Sequence, residues 1–230
     1  MDIIEVKKFI NQNYHYAEAF KALRTNLMFS GSDIQSVAIT SFQASEGKSS
    51  VALHLCASLA ESGKTVLLLD ADLRKSQLAA RLRIRGRVKG LSHFLSGMTN
   101  ANEVLNETDI PGMYILFAGA RVPHSAELLG SKNFGRLMTA LKESFDYVIV
   151  DCAPLGLVID CAVMAPSVDG VLMVIDTTNN SAKLERRVKS QLQKVDAKIL
   201  GAVLTKVDTS DKHGYYGKIY GYGYGYGEKG

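Results

Sequence analysis

Six short apolar runs, rich in valine and isoleucine, recur along the chain and alternate with segments of helical spacing. Such runs are typical of parallel strands that are buried on both faces. The predicted strands cover residues 37–40, 65–69, 113–118, 147–151, 170–176 and 199–204. The predicted helices cover residues 49–62, 128–144 and 181–195. Alternating strands and helices predict an α/β fold with a doubly wound, mostly parallel sheet, which binds ligands at the carboxyl ends of its strands.

The chain divides into three predicted parts. Residues 1–35 are a helical N-terminal extension, with the helix over residues 16–28, and residues 36–210 form the α/β domain. Residues 211–230 are different in composition, because the last sixteen hold six of the ten tyrosines and six glycines. Frequent glycine raises the entropic cost of ordering a segment, so we expect a flexible Tyr/Gly-rich tail.

Charge and composition limit the classes of partner. The formal net charge of +4 permits an acidic partner or an anionic membrane surface, but it is too diffuse to indicate nucleic acid. The amino-terminal sequence lacks a long apolar region, and no apolar run reaches the roughly 18 residues of a membrane span. We therefore expect a cytoplasmic protein. Cys56, Cys152 and Cys161 have no metal-binding spacing and are predicted as reduced core residues.

The first predicted strand is followed by the loop SFQASEGKSS, residues 41–50, and then directly by a helix. In this context a Gly-Lys-Ser sequence predicts a phosphate loop, whose backbone N–H groups and helix N-terminus attract phosphate. Lys48 would reach the β- and γ-phosphates, Ser49 would bind Mg²⁺, and Ser50 would donate to the α-phosphate. The predicted nucleotide-binding residues are Ser45, Glu46, Gly47, Lys48, Ser49 and Ser50.

Phe42 occupies the position of the first glycine of the GxxxxGK[ST] motif. The loop by itself therefore leaves open a second interpretation, a surface Gly-Lys-Ser sequence at the start of an ordinary helix.

Carboxylates follow two further strands. Asp70 and Asp72 end the second strand at alternate positions, so they point to the same side if that strand continues. A Mg²⁺ ion between them would relieve their repulsion, and one of them could instead accept a proton from an incoming hydroxyl. Asp72 alone could also be a helix cap. Asp151 ends the sequence YVIVD, which has the form of a Walker B strand that holds Mg²⁺ or its water.

Together these features predict one Mg·ATP site with the catalytic residues Lys48, Asp70, Asp72 and Asp151. The sequences GKSS, LLLDADLR and VIVDCAP, with the tyrosine-rich C-terminus, resemble the bacterial tyrosine kinase family. The likeness is to the stand-alone cytoplasmic kinases of capsule and exopolysaccharide synthesis in Gram-positive bacteria. The resemblance implies a P-loop NTPase fold with Walker A, A′ and B motifs and the cofactors ATP and Mg²⁺. It further implies that Asp70 is the base and that Asp72 and Asp151 organise the metal together with Ser49.

The resemblance also implies partners. Glu18, Lys21 and Arg24 match the ExxRxxR subunit-contact motif of the family, with Lys21 in place of the first arginine. They imply a ring-shaped homo-oligomer at the membrane periphery. A membrane-anchored polysaccharide co-polymerase is implied as its activator, and a phosphotyrosine phosphatase would reset it. Ala44 and Ser45 replace the usual Pro-Gly of the loop, and a positive φ at Ser45 would cost about 1 kcal/mol or more.

The tail supplies the predicted phosphoacceptors: Tyr215, Tyr216, Tyr220, Tyr222, Tyr224 and Tyr226. A flexible segment of this length spans roughly 20–25 Å and holds its tyrosines at an effective concentration on the order of millimolar. Each phosphotyrosine adds about −1.5 to −2 charges, so phosphorylation is expected to open the ring. A self-associating Gly/Tyr segment is the alternative interpretation of the tail.

Two other functions remain open at this point. A spatial-regulator ATPase of the MinD or ParA type shares the fold, although it usually has an additional lysine early in the loop, where residues 42–44 supply none. A nucleotide-gated scaffold would bind Mg·ATP without phosphoryl transfer. A basic run is predicted to meet an acidic activator tail, lipid headgroups or phosphotyrosines, or to be merely solvated: Arg74, Lys75, Arg81, Arg83, Arg85, Arg87 and Lys89.

Overall fold

The computed structural model of the protein describes residues 3–86, 88–178 and 182–207. The predicted tyrosine tail, Arg87 of the basic run and the first residue of the helix predicted over 181–195 lie outside these ranges. The strands are β1 Ser36–Ser41, β2 Val66–Asp70, β3 Leu105–Glu107, β4 Met113–Leu116, β5 Tyr147–Asp151, β6 Gly170–Asp176 and β7 Ile199–Thr205. The helices are α1 Tyr14–Met28, α2 Lys48–Glu61, α3 Leu78–Arg81, α4 Leu91–Leu95, α5 Ser125–Leu129, α6 Lys132–Ser144, α7 Asp160–Met164 and α8 Ala182–Gln193.

The seven strands form one sheet in the order β3-β4-β2-β5-β1-β6-β7. All neighbouring pairs are parallel except β3 with β4. The predicted doubly wound, mostly parallel α/β fold is therefore confirmed. Among the described residues, no helix has the length and apolar character that crossing a membrane requires.

Alternate residues of the central strands enter two separate cores, one on each face of the sheet. Leu67 and Val148 pack into the core that α6 and α8 cover, whereas Leu68 and Ile149 pack into the core that α2 covers. Such burial on both faces explains why these strands are continuous apolar runs instead of alternating ones.

The predicted strands are confirmed, with bounds that agree within two residues. The prediction of one continuous helix over residues 128–144 is wrong, because one helix ends before Gly130 and a new helix, α6, begins after it. There the Ser131 hydroxyl accepts a hydrogen bond from the Phe134 N–H, at 3.3 Å, and caps the new helix. The short edge strand β3 and the short helices α3, α4 and α7 were not predicted.

The N-terminal segment packs directly on the helix that follows the phosphate loop. The ring of Phe20 on α1 stacks on His54 of α2, with ring centroids 5.1 Å apart. His54 Nδ1 lies 2.8 Å from the Ser50 carbonyl oxygen, and its Nε2 accepts the Asn11 N–H at 3.0 Å. Ile4 forms a parallel bridge with Thr108. The described part of residues 1–35 thus contributes to the core that α2 covers, while the division into three parts stays a prediction.

Candidate active site

The phosphate loop connects β1 to α2, and its end is held by the last residue of β7. Thr205 Oγ1 donates to the Glu46 carbonyl oxygen at 2.8 Å. Gly47, immediately before α2, has a left-handed φ of +93°, and a Cβ added there would lie 3.4 Å from Thr205 Cγ2. Glycine is therefore suited to this position for both its conformation and its small size.

Glu46 is buried within the loop, and its carboxylate holds the loop together. Its Oε2 accepts the N–H groups of Phe42 at 2.7 Å and of Gln43 at 3.0 Å. Phe42 itself is buried and joins the core that α6 covers. The residue in place of the first motif glycine thus has room for its side chain and has no positive φ. Contact of Glu46 with a nucleotide stays a prediction.

Ser45 has an exposed side chain and a φ of +65°, in the left-handed region. A residue with a Cβ costs roughly 1–2 kcal/mol in this conformation. The sequence left open whether φ at this position is negative. The observed φ is positive, which is the conformation that favours glycine, so Ser45 is a strained position within the predicted phosphate loop.

Asp70 and Asp151 are adjacent across the sheet, because β2 and β5 pair with these two residues in register. Both carboxyl groups are almost fully buried. Burial and then the charge of Asp151 raise the pKa of Asp70 to about 8. Burial also raises the pKa of Asp151, against the opposing effects of the Lys48 ammonium and the Ser49 hydroxyl. The structure thus brings two predicted carboxylates and the start of α2 into one site.

Asp72 lies in a turn, since β2 ends at Asp70. The strand therefore does not continue to Asp72, and the condition under which Asp70 and Asp72 would point to the same side is not met. Asp72 Oδ1 accepts the Lys75 N–H at 2.9 Å, and the Asp72 N–H donates to Asp70 Oδ1 at 3.2 Å. Its carboxylate closes this turn but does not cap the next helix, because α3 begins at Leu78 with Gln77 as its N-cap residue. Asp72 remains close enough to Asp151 to raise the pKa of that residue.

The polar groups fit a Mg²⁺ ion that is bound together with a nucleotide. Asp151 Oδ1 is buried and has no hydrogen-bond partner among the residues that the structure describes. An acceptor in that situation is suited to a metal ion or to a metal-bound water. Within the described ranges, no group of three or more His, Cys, Asp or Glu side chains could hold a metal alone. Mg²⁺ typically uses one or two carboxylates with phosphate oxygens and water, so the arrangement fits a metal that enters with phosphate.

Two contacts of the site were missed by the sequence analysis. The Ser76 hydroxyl donates a short hydrogen bond to Asp70 Oδ2. Arg81 Nη1, at the end of α3, donates to Ser50 Oγ at 2.7 Å. Arg81 had been noticed only as one member of a basic run, and nothing in the sequence connects it to Ser50.

An ion pair between half-buried Arg74 and the buried carboxylate of Asp160 holds the segment that follows Asp72. Arg74 donates from Nε and Nη2 to the two oxygens of Asp160, both at 2.9 Å. The Ser125 hydroxyl donates to the same carboxylate at 2.6 Å. The start of α7 therefore positions the turn that contains Asp72.

The residues of the predicted subunit contact lie on α1. Arg24 Nη1 donates to the Ser58 carbonyl oxygen of α2 at 2.6 Å, and Lys21 pairs with Glu18 at 2.7 Å. Arg24 is thus engaged within its own chain, and a subunit contact through these three residues stays a prediction.

Comparisons with known proteins agree with this geometry. The AAA domain family matches residues 34–201. The tyrosine-protein kinase CpsD of Streptococcus agalactiae is 35% identical over 222 residues, or 95% of this chain and 96% of the relative. The crystal structure of the chimerical protein CapA2B2 has a TM-score of 0.81 at 27% identity, covering 89% of this chain and 93% of that chain. The kinase domain of the Escherichia coli tyrosine kinase ETK has a TM-score of 0.77 at 31% identity, covering 87% and 80%.

The likeness to CpsD extends over almost the whole length of both chains, so it includes the phosphate loop and both aspartate-bearing strands. The two solved structures share the overall fold of this chain, at TM-scores of 0.81 and 0.77. The resemblance seen in the sequence motifs is therefore confirmed. The chain belongs to the bacterial tyrosine kinase family and is a protein-tyrosine kinase built on a P-loop α/β domain.

Proposed function

We propose that the protein is an autokinase that transfers the γ-phosphoryl group of ATP to tyrosines of its own C-terminal tail. The observation that carries the proposal is the buried pair of Asp70 and Asp151 beside Lys48 and Ser49. The acceptors are Tyr215, Tyr216, Tyr220, Tyr222, Tyr224 and Tyr226, all outside the described residues.

At phosphorus, the proposed reaction forms one bond and breaks one, and the phenol proton passes to Asp70. The phenol oxygen of a tail tyrosine attacks the γ-phosphorus, and the bond from that phosphorus to the β,γ-bridging oxygen breaks, so that ADP leaves. Lys48 holds the phosphates, and Ser49, Asp72 and Asp151 would hold Mg²⁺, which neutralises the negative charge of the transferred group. Asp70 accepts the phenol proton. A raised pKa makes the ionised Asp70 carboxylate a stronger proton acceptor than an ordinary aspartate.

Transfer in trans is part of the proposal. Tail tyrosines would reach the site of a neighbouring subunit in a ring-shaped homo-oligomer, with Glu18, Lys21 and Arg24 at the contact. The activator would be a membrane-anchored polysaccharide co-polymerase, which would place this kinase at the cytoplasmic face of the membrane. A phosphotyrosine phosphatase would return the tail to its starting state. The cycle would then regulate capsular or extracellular polysaccharide synthesis and export.

The test is to incubate the full chain with Mg·ATP, with and without the cytoplasmic fragment of the activator, and to measure phosphotyrosine and free phosphate. We expect phosphotyrosine in the tail that is lost in Lys48→Met and in Asp70→Asn. The matched control is Lys132→Met, which changes an exposed lysine far along the chain. Free phosphate without phosphotyrosine would instead indicate a spatial-regulator ATPase. Binding of Mg·ATP with neither product would indicate a scaffold.

A further inference from the structure

The segment between β2 and α4 carries a run of positive charge without any acidic residue. Residues 74–89, RKSQLAARLRIRGRVK, hold seven lysine and arginine residues and neither aspartate nor glutamate. Arg74 binds Asp160, and Arg81 binds Ser50. The cations that follow Arg81 have no role in the proposed reaction, so their charge is unassigned.

Burial alternates along the second half of this segment, and the cations take the exposed positions. Three apolar side chains pack into or against the core that α2 covers: Leu82, Ile84 and Val88. The exposed cations between and after them form the basic row: Arg83, Arg85 and Lys89. Because the apolar side chains hold the segment on the core, the basic row faces solvent. In the sequence, Arg87 continues the alternation.

Both ends of the basic row are held in place. Before it, Arg81 Nη1 donates to Ser50 Oγ at 2.7 Å, in the first turn of α2. After it, a Cβ added to Gly90 would lie 2.1 Å from the carbonyl oxygen of Phe117, so the chain lies directly against the segment that follows β4. The basic row therefore runs along the edge of the sheet where the phosphate loop and the carboxyl end of β4 lie.

The charges of the basic row are available to a partner. Among the described residues, Arg83 and Arg85 form no ion pair or hydrogen bond, and Lys89 pairs with Glu103 at 2.6 Å. Both side chains of that pair are about half exposed, so it contributes little to stability. Arg83 also has a φ of +55°, in the region that favours glycine, so an arginine is kept there at a conformational cost.

We propose that the basic row binds the anionic headgroups of a lipid bilayer and is a membrane-contact surface of the chain itself. The inference goes beyond the proposed function, in which the membrane is reached only through an activator, and it does not depend on phosphoryl transfer. Docking through the basic row would turn the edge of the sheet that carries the phosphate loop toward the bilayer.

A bilayer fits the basic row better than a phosphopeptide does. Sites that recognise one phosphate group converge several donors on it, whereas these cations lie one after another along an exposed segment. Each lysine or arginine near an anionic surface raises the binding constant about fivefold. The basic row alone therefore gives weak, salt-dependent binding, which adds to that of a second anchor.

The test measures binding of the full chain to vesicles, without nucleotide. Phosphatidylcholine vesicles with about 30% phosphatidylserine are compared with phosphatidylcholine alone, by cosedimentation in about 0.1 M salt. The variant Arg83→Glu/Arg85→Glu is compared with the matched control Lys132→Glu/Arg136→Glu, which reverses two exposed cations of α6 on the opposite face of the sheet. Each replacement lowers the charge by two, so both variants have a formal net charge of zero.

We expect Arg83→Glu/Arg85→Glu to bind the anionic vesicles about 25-fold more weakly than the control does, because two attractive cations are lost. Raising the salt to about 0.5 M should abolish binding by the unmodified chain, and phosphatidylcholine alone should not bind it. Equal binding by the two variants, or equal binding of the unmodified chain to both kinds of vesicle, would overturn the inference.

A second variant separates the charge from folding. Arg83→Gly removes one cation and relieves the left-handed position, so we expect about fivefold weaker vesicle binding without a loss of stability in urea unfolding. Vesicle binding at the level of the unmodified chain would contradict the proposal.

A tyrosine-phosphorylated peptide of residues 221–230 tests the other anionic partner. We expect the two double variants to bind it with affinities within about twofold of each other. A larger loss for the peptide than for the vesicles in Arg83→Glu/Arg85→Glu would show that the basic row binds phosphotyrosine, and the lipid assignment would fail. None of these measurements uses ATP, so their failure leaves the autokinase proposal standing, and a chain that forms no phosphotyrosine can still bind the vesicles.

Discussion

Replacing Ser45 by glycine is expected to stabilise the protein. The φ of +65° at this residue costs roughly 1–2 kcal/mol for a side chain with a Cβ, and glycine removes that strain. Against this gain, glycine increases the conformational freedom of the unfolded chain, which costs about 0.4–1 kcal/mol. The net expectation is a free energy of unfolding higher by about 0.5–1 kcal/mol. For a chain of this length, the corresponding rise in Tm is about 1–4 °C.

The matched control is Ala44→Gly, one residue earlier in the same loop. Ala44 is also exposed, but it is not among the residues with positive φ, so glycine there should lower stability through the unfolded state alone. Urea unfolding of both variants without nucleotide measures the difference, provided that the denaturant slope is unchanged. If Ser45→Gly lowers the free energy of unfolding as Ala44→Gly does, the loop is not strained at Ser45 and the reasoning is refuted.

Three further predictions concern the surroundings of the site. The pKa of His54 is lowered, mainly because of burial, so the neutral imidazole favours the folded state. The stability that His54 contributes is therefore present above about pH 6.5 and is lost as the pH falls below it. In urea unfolding, His54→Asn should reduce the slope of the free energy of unfolding against pH in that range. Arg81→Met should weaken Mg·ATP binding about three- to tenfold in a fluorescent-nucleotide titration, because the Arg81 guanidinium lies 2.7 Å from Ser50 Oγ. Arg85→Met, a change at an exposed position, should leave the affinity unchanged. Equal affinities in the two variants would contradict this role of Arg81. Arg74→Ala should lower the free energy of unfolding by about 2–3 kcal/mol, because it removes the charged partner of the buried Asp160 carboxylate and leaves the hydrogen bond from Ser125. A loss below about 0.5 kcal/mol in urea unfolding would contradict this expectation.

The sheet was predictable because its central strands are buried on both faces. Such strands require continuous apolar runs, which are visible in the sequence, and their polar ends at Asp70 and Asp151 mark the edge where ligands bind. The edge strand β3 was not predictable, because its three residues are half-buried or exposed and carry no such run. The break between α5 and α6 depends on a single serine cap within an otherwise helical pattern.

The hydrogen bonds within the site could not be predicted from the sequence, for a different reason. Arg81 and Ser50 are 31 positions apart, and their hydrogen bond exists only because α3 turns back over the start of α2. Likewise, Ser76 reaches Asp70 because the chain turns after β2. Local secondary-structure propensity carries no information about either of these hydrogen bonds.

The packing of α1 on α2 couples two regions that the sequence presents as separate. His54 contacts Phe20 on one side and the carbonyl oxygen of Ser50, in the first turn after Lys48, on the other. If α1 mediates contact between subunits, assembly and nucleotide occupancy act on the same helix. Thermodynamic reciprocity then requires that any factor by which assembly raises nucleotide affinity is also the factor by which the nucleotide strengthens assembly.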